Sequence, residues 1–357
     1  MNKIIEWNGY HITRKYIGKG SFAKVYYGIN IKTKQEVAIK KISFNQLPDN
    51  IKDKTLLEIK ILENFSHPNI IKLYEYKFEL NHLFLIMEYC NCGNLSTWIN
   101  KSKTSEEIFN VIKQIMEGIN YLHINKIIHR DIKPENILLH NSIIKICDFG
   151  FSLTFNNYFS VFQTICGTPM YMSPEIINMQ KYTIKSEIWS LGILFYNIFF
   201  NQHPYGILSN ISEYKTKLKI PINLKTINIF NDTYCNYIFN ELITKMLSLI
   251  PNLRPSSDII LNEILNCEPN NNSNIYFSTD YKTNTDKEYD ILDSYSFINS
   301  PCISSNKKYD LNNLNELNDF SLGKPIIIDN YFNDNNPVTT ICDYINSFTK
   351  KSQKFYL

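Results

Sequence analysis

No stretch of the 357-residue sequence is apolar for long enough to span a bilayer. The longest candidate, Ile188 to Phe200, is broken by Ser190, Gly192 and Asn197, and it falls short of the roughly 20 residues that a membrane helix needs. Met1 to Lys15 alternate charged and apolar residues and contain no apolar segment of the kind a secretion signal requires. An intracellular, cytoplasmic location is therefore expected. Cysteine is scarce, with eight residues at positions 90, 92, 147, 166, 235, 267, 302 and 342. None forms a C-x-x-C pair, and the Cys90-Asn91-Cys92 spacing is too tight for a structural zinc knuckle, so reduced thiols are expected. Neither sign of charge dominates: 37 basic against 34 acidic residues leave +3. That balance excludes a chain built around nucleic-acid electrostatics and predicts no nucleic-acid partner.

Glycine all but vanishes from the last part of the chain. Ten of the eleven glycines precede residue 207 and only Gly323 follows. From Glu268 onward Asn, Ser, Asp and Tyr accumulate, in runs such as Asn270-Asn271-Asn272, a composition that resists packing into a core. Residues 10–267 are thus the expected domain, and 268–357 an Asn-rich, low-complexity tail open to regulatory partners. Within the domain, Tyr10 to Ile17, Ala23 to Ile29, Glu36 to Ile42, Ile70 to Phe78 and Leu83 to Tyr89 read as strands. Leu56, Leu57, Ile59, Ile61 and Leu62 set a helical period that stops before His67-Pro68-Asn69. After residue 94 the pattern is mainly helical, including Ile108 to Ile124 and Lys185 to Phe200. The expected fold class is α+β and bilobal: a small β-rich lobe over about 10–88, and a larger helical lobe over about 91–267. The join falls near Glu88 to Gly93, and clefts between lobes are where ligands ordinarily bind.

Ile17-Gly18-Lys19-Gly20-Ser21-Phe22-Ala23-Lys24-Val25 lies between two strand-like segments. A G-x-G pair is by itself often only a hairpin turn. This one precedes a strand rather than a helix, which excludes a dinucleotide fingerprint or Walker loop and suits a flap whose amides cover phosphates. Lys40 ends Val37-Ala38-Ile39-Lys40, where a lysine is ordinarily just solvated, but Glu58 on the following helix offers a carboxylate to hold it inward. His129-Arg130-Asp131-Ile132-Lys133-Pro134-Glu135-Asn136 concentrates a carboxylate, a lysine two residues on and an amide five residues on in one loop. Twelve residues later comes Asp148-Phe149-Gly150, a carboxylate suited to metal.

In this order the segments resemble the eukaryotic protein kinase family, with Ser173-Pro174-Glu175 completing the set. Lys133 and Gly167-Thr168-Pro169-Met170-Tyr171-Met172 are similar to the serine/threonine class. Met87 to Gly93, Ile127-Ile128-His129 and Cys166 to Glu175 look closest to the Unc-51-like, autophagy-initiating subfamily.

The resemblance implies ATP and Mg²⁺ as cofactors and proteins bearing Ser or Thr as substrates. ATP lies under Gly18 and Gly20, its adenine between Val25, Ala38 and Leu138 and bonded near Glu88 and Cys90. Lys40, held by Glu58, contacts phosphates; Asn136 and Asp148 bind magnesium. Asp131 accepts the hydroxyl proton, and Lys133 steadies the transferring group. Arg254 pairs with Glu175 as a lock, and Thr164 is the candidate regulatory phosphosite. Two residues depart from the pattern. Ala23 replaces the third flap glycine, and Glu187 stands where kinases carry aspartate, an extra methylene expected to cost about 1 kcal/mol. The alternative is a pseudokinase scaffold of the same fold.

Overall fold

The computed structural model describes residues 4–20, 22–154, 167–180, 183–220 and 222–267. Ser21, Thr164 and the 268–357 tail lie outside the described residues.

The chain opens on a hairpin that the sequence reading did not pick out. Strand β1 (Ile4–Trp7) pairs with β2 (Tyr10–Lys19), Trp7 opposite Tyr10. Only Asn8 and Gly9 lie between them, with φ of 50° and 84°. Two positive φ angles are what the two-residue turn matching strand twist demands, and Asn-Gly is its commonest sequence. Strands β3 (Ala23–Asn30), β4 (Glu36–Ile42), β5 (Leu73–Glu79) and β6 (His82–Glu88) complete an antiparallel sheet in the order β1-β2-β3-β4-β6-β5. Trp7 packs at a tilt against Phe84, with ring centroids 4.4 Å apart, and donates Nε1–H to Glu79 at 2.6 Å. This joins β1 to a small apolar cluster with Tyr10, Val37, Ile39 and Ile86.

Helix α1 (Asp49–Asn64) packs on the other side of the sheet, where Ile59 meets Ile42, Leu83 and Leu85. The next strand begins three residues later than the sequence suggested. Ile70 bridges Ile146, and Ile71 donates to the Ile146 carbonyl at 2.9 Å. Those two residues are therefore spent on tying the sheet-bearing lobe to the rest of the chain.

The second lobe is helical. Helix α2 (Leu95–Ile99) starts at Asn94, whose side chain accepts the Thr97 N–H at 3.1 Å. Helix α3 (Ser105–Ile124) starts on a reciprocal cap: Thr104 Oγ1 accepts from Glu107 N, and Glu107 Oε2 from Thr104 N. Such a box satisfies two donors a helix start leaves orphaned. Short strands β7 (Ile127–Ile128), β8 (Ile137–His140), β9 (Ile143–Ile146) and β10 (Leu153–Thr154) carry the loops of the cleft. After α4 (Pro174–Ile177) comes α5 (Lys185–Phe200), the run that most resembled a membrane segment. It is buried nearly all round, as a helix apolar on every face must be. Among the described residues no helix is long and apolar enough to cross a membrane. Helices α6 (Ile211–Lys217), α7 (Thr233–Met246) and α8 (Ser257–Asn266) surround α5 and α3 in one continuous core.

Candidate active site

Lys40 and Glu58 meet because β4 and α1 pack face to face. Lys40 Nζ lies 2.9 and 3.2 Å from the two Glu58 oxygens. Burial opposes the lysine's charge, but the Glu58 and Asp148 carboxylates outweigh it and hold the ammonium above its ordinary value. Lys40 is thus a fixed cation beside Asp148. Asp148 itself is surface-accessible yet pulled below the usual carboxylate range: desolvation by the surrounding protein works against its charge, and Lys40, His129 and Lys133 overcome it.

The loop between β7 and β8 centres on Asp131, which is buried. Its Oδ1 accepts both the backbone N–H and the hydroxyl of Thr168, each at 2.8 Å. Its Oδ2 lies 2.8 Å from Lys133 Nζ and accepts from Asn136 Nδ2 at 3.0 Å. Lys133 also donates to Thr168 Oγ1 at 2.7 Å. The Asn136 amide is further fixed by a bond from Nδ2 to the Asp131 carbonyl at 2.9 Å, so its oxygen points away from Asp131. Gly167 is required here. It has φ of +105°, and a Cβ would come 2.5 Å from the Arg130 carbonyl, so only glycine lets the Thr168 segment approach.

Two residues beside this centre occupy the left-handed region, Arg130 and Asp148, each with φ of 67°. Such strain persists where surroundings hold it. Arg130 is held by its N–H, which donates to Glu187 Oε2 at 2.7 Å, and by its Nε, which donates to Phe151 O at 2.6 Å. His129 packs edge-on against Phe149 at 5.0 Å and bonds the Cys147 carbonyl at 3.0 Å. Leu62 and Phe149 share one buried cluster, with Leu73 packed against it.

The flap residues pair across the β2–β3 hairpin. Gly18 faces Val25, Lys19 faces Lys24, and Gly20 N–H donates to the Ala23 carbonyl at 2.8 Å. Ile17 and Phe22 are exposed. Val25 sits opposite Lys40 and Ala38 opposite Met87, while Leu138 bridges Asn94. Glu88 turns its carboxylate to Lys145 at 2.8 Å, and Cys90 follows at the lobe junction, its thiol pushed up to about 12 by burial and Glu88.

Several partners escaped the sequence reading. Lys145 stands alone in the apolar run Ile143 to Ile146, and a lone charge in such a run is a signal of buried pairing. His123 on α3 contacts Glu187 Oε1 at 2.8 Å, and nothing local announces that contact. The Glu187 carboxylate, at the position where the sequence departs from the kinase pattern, bridges α3 and the catalytic loop. The expected Arg254–Glu175 lock is present, at 2.6 and 2.9 Å, with Ser186 donating to the same carboxylate.

Hard oxygen donors from Asp148 and Asn136 suit Mg²⁺, which typically takes one or two protein ligands and completes its shell with phosphate and water. Among the described residues no group of three or more His, Cys, Asp or Glu side chains could hold a metal alone.

Residues 10–266 match the family described as "Protein kinase domain". The chain belongs to the protein kinase family. Its kinase domain is 37% identical over 228 residues to "Serine/threonine-protein kinase atg1" of Dictyostelium discoideum, covering 59% of this chain and 34% of that protein. It is 37% identical over 216 residues to "Serine/threonine-protein kinase ATG1a" of Arabidopsis thaliana, covering 57% and 34%. A match to "Putative serine/threonine-protein kinase R517/R518" of Acanthamoeba polyphaga mimivirus is 34% identical over 276 residues, covering 69% and 60%. The match thus spans about a third to three-fifths of these relatives' length. The domain resembles serine/threonine kinases of the ATG1 group.

Proposed function

We propose that the protein is an active serine/threonine protein kinase, its catalytic domain over 10–267 and its 268–357 tail a segment for regulatory partners. One observation carries the reading. The Asp131 carboxylate is oriented by Thr168, Lys133 and Asn136, while the Lys40–Glu58 pair stands beside Asp148. A pseudokinase scaffold has no need of the complete set.

In this reading ATP enters under the flap of Ile17 to Val25, with Ala38 and Leu138 on its adenine and the backbone near Glu88 and Cys90 beside it. Lys40, kept charged by Glu58, binds the α and β phosphates. Asp148 and the Asn136 oxygen hold Mg²⁺, which when bound neutralises charge on the phosphate oxygens. Asp131 orients the substrate hydroxyl and accepts its proton as the oxygen bonds to the γ-phosphorus and ADP leaves. Lys133, already hydrogen-bonded to both Asp131 and Thr168, steadies the transferred group. Thr164 is proposed as the regulatory phosphosite, its phosphate recognised by Arg130.

A peptide array incubated with Mg-ATP tests the reading. Phosphate on Ser and Thr but not Tyr supports it, and an array that stays blank contradicts it. The array also reports selection by Asn94. Its Oδ1 is committed to the Thr97 N–H and carries no charge, so arginine three residues before the target is expected to gain less than about tenfold.

A further inference from the structure

Immediately after Thr168 the chain makes one tight turn, Pro169–Tyr171, and continues into Met172. Three consecutive carbonyls of this segment are each held by a side chain from the helical lobe. His203, in the loop after α5, bonds Met170 O through Nε2 at 2.8 Å. Ser190 Oγ, on α5, donates to Tyr171 O at 2.7 Å. Tyr214 OH, on α6, donates to Met172 O at 3.1 Å. Trp189 Nε1–H donates to the Tyr214 oxygen at 3.1 Å, which leaves the hydroxyl hydrogen directed at Met172.

His203 is the member of this clamp with the most constrained chemistry. Nε2 faces a carbonyl and must carry the proton, and Nδ1 accepts the Tyr205 N–H at 3.2 Å. Both contacts are met only by the neutral ring. Burial pushes the imidazole down to about 4, against the pull of the Met170 carbonyl and with help from Lys217, so it stays neutral at physiological pH. Tyr171, Tyr205 and Tyr214 surround the ring at centroid distances of 6.4, 6.0 and 5.5 Å. The imidazole therefore has little freedom to swing away from Met170.

We propose that His203 is a positioning residue for the protein substrate, fixing the Met170–Met172 segment against which the chain flanking the target hydroxyl is laid. The proposal rests on the kinase reading above. Thr168 touches the Asp131 carboxylate, so a substrate hydroxyl presented to Asp131 brings its neighbouring residue over the next residues of this segment. Tying three carbonyls back into the helical lobe presents Met170, which is half-buried, at a fixed height. A substrate-binding surface held in advance loses less entropy on binding.

The test compares the full-length protein with His203→Leu, which removes the donor, and His203→Gln, whose amide N–H can reach the Nε2 position. Loss of one such hydrogen bond is expected to raise the peptide KM about tenfold in His203→Leu while the ATP KM stays within about twofold. Hydrogen exchange at the Tyr171 and Met172 amides should quicken in the same variant, because their bonds to the Thr168 and Pro169 carbonyls lose their frame. His203→Gln should restore both readouts. Unchanged peptide KM and exchange in His203→Leu would overturn the proposal, as would peptide and ATP parameters falling together. A parent protein inert toward every peptide removes the kinase reading and the substrate role with it, while exchange still reports on the clamp. A parent that transfers phosphate beside an equally competent His203→Leu removes the positioning role alone.

Discussion

His123 and Glu187 face each other across 2.8 Å in the buried interior, one on α3 and one on α5. The second Glu187 oxygen receives the Arg130 N–H, so one carboxylate joins two helices to the catalytic loop. Burial opposes the charge of Glu187, but His123 and the Arg130 N–H hold its carboxyl below the ordinary value of 4.5. A group depressed in the folded state stabilises above its unfolded value and loses that contribution as pH falls through its folded one. Glu187→Gln keeps the shape and removes the charge. It should cost about 1–3 kcal/mol near neutral pH, where one donor goes unpaired. The gap should narrow as pH drops below 4.5. Chemical denaturation across that range checks it, and a gap independent of pH counts against the bridge.

Arg254 and Glu175 make a second buried link, and here both partners are needed. The guanidinium is fully buried, donates to both Glu175 oxygens and lies over the Trp189 ring at 5.1 Å. Arg254→Met leaves a buried carboxylate without its cation and should destabilise by about 3–5 kcal/mol. Adding Glu175→Gln should recover part of that loss. A double variant no more stable than the single one would show that the charge is not what the arginine satisfies.

Ser173 offers a change in the opposite direction. Its hydroxyl is buried, with no hydrogen-bond partner among the described residues. An unsatisfied buried hydroxyl is costly, so Ser173→Ala should stabilise by about 1 kcal/mol. A fall in melting temperature would mean the hydroxyl has a partner after all.

What could be read from the sequence follows the range of the interactions. The Val37-Ala38-Ile39-Lys40 run on β4, the Asp131 loop and Asp148-Phe149-Gly150 are short strings whose chemistry is compressed into a few residues. Their order alone pointed to Lys40 meeting Glu58. The Asn8-Gly9 turn is equally local, but the four residues of Ile4 to Trp7 before it are too short a run to announce a strand by themselves. The contacts of His123, His203 and Tyr214 were not legible at all. Each spans tens of residues, and a histidine or tyrosine, in a helix or in a loop, carries no mark of what lies across the core. Glu187 shows the limit most clearly, since nothing near it in the sequence points to His123, 64 residues away, as the partner of its carboxylate.

Cys147 precedes Asp148 and is half-buried, whereas Cys92 is exposed. Burial, followed by the Asp148 and Cys90 charges, pushes the Cys147 thiol well above its ordinary value. The thiolate is the reactive species, so alkylation near neutral pH should be at least about tenfold slower at Cys147 than at Cys92. Peptide mass spectrometry after timed iodoacetamide exposure measures the ratio. Equal rates would indicate a more open and more polar site than the half-buried thiol implies.

The central claim is that Asp131 acts on a hydroxyl within a functioning phosphotransfer site. Transfer of labelled γ-phosphate from Mg-ATP to a Ser/Thr peptide, compared between the parent protein and Asp131→Asn, tests it most directly. Asparagine keeps an oxygen for Thr168 but cannot accept the proton, and loss of a general base typically costs on the order of 10²- to 10⁴-fold in rate. The account predicts a parent that transfers phosphate and a folded Asp131→Asn slower by that margin. An inert parent, or an Asp131→Asn as fast as the parent, would contradict it.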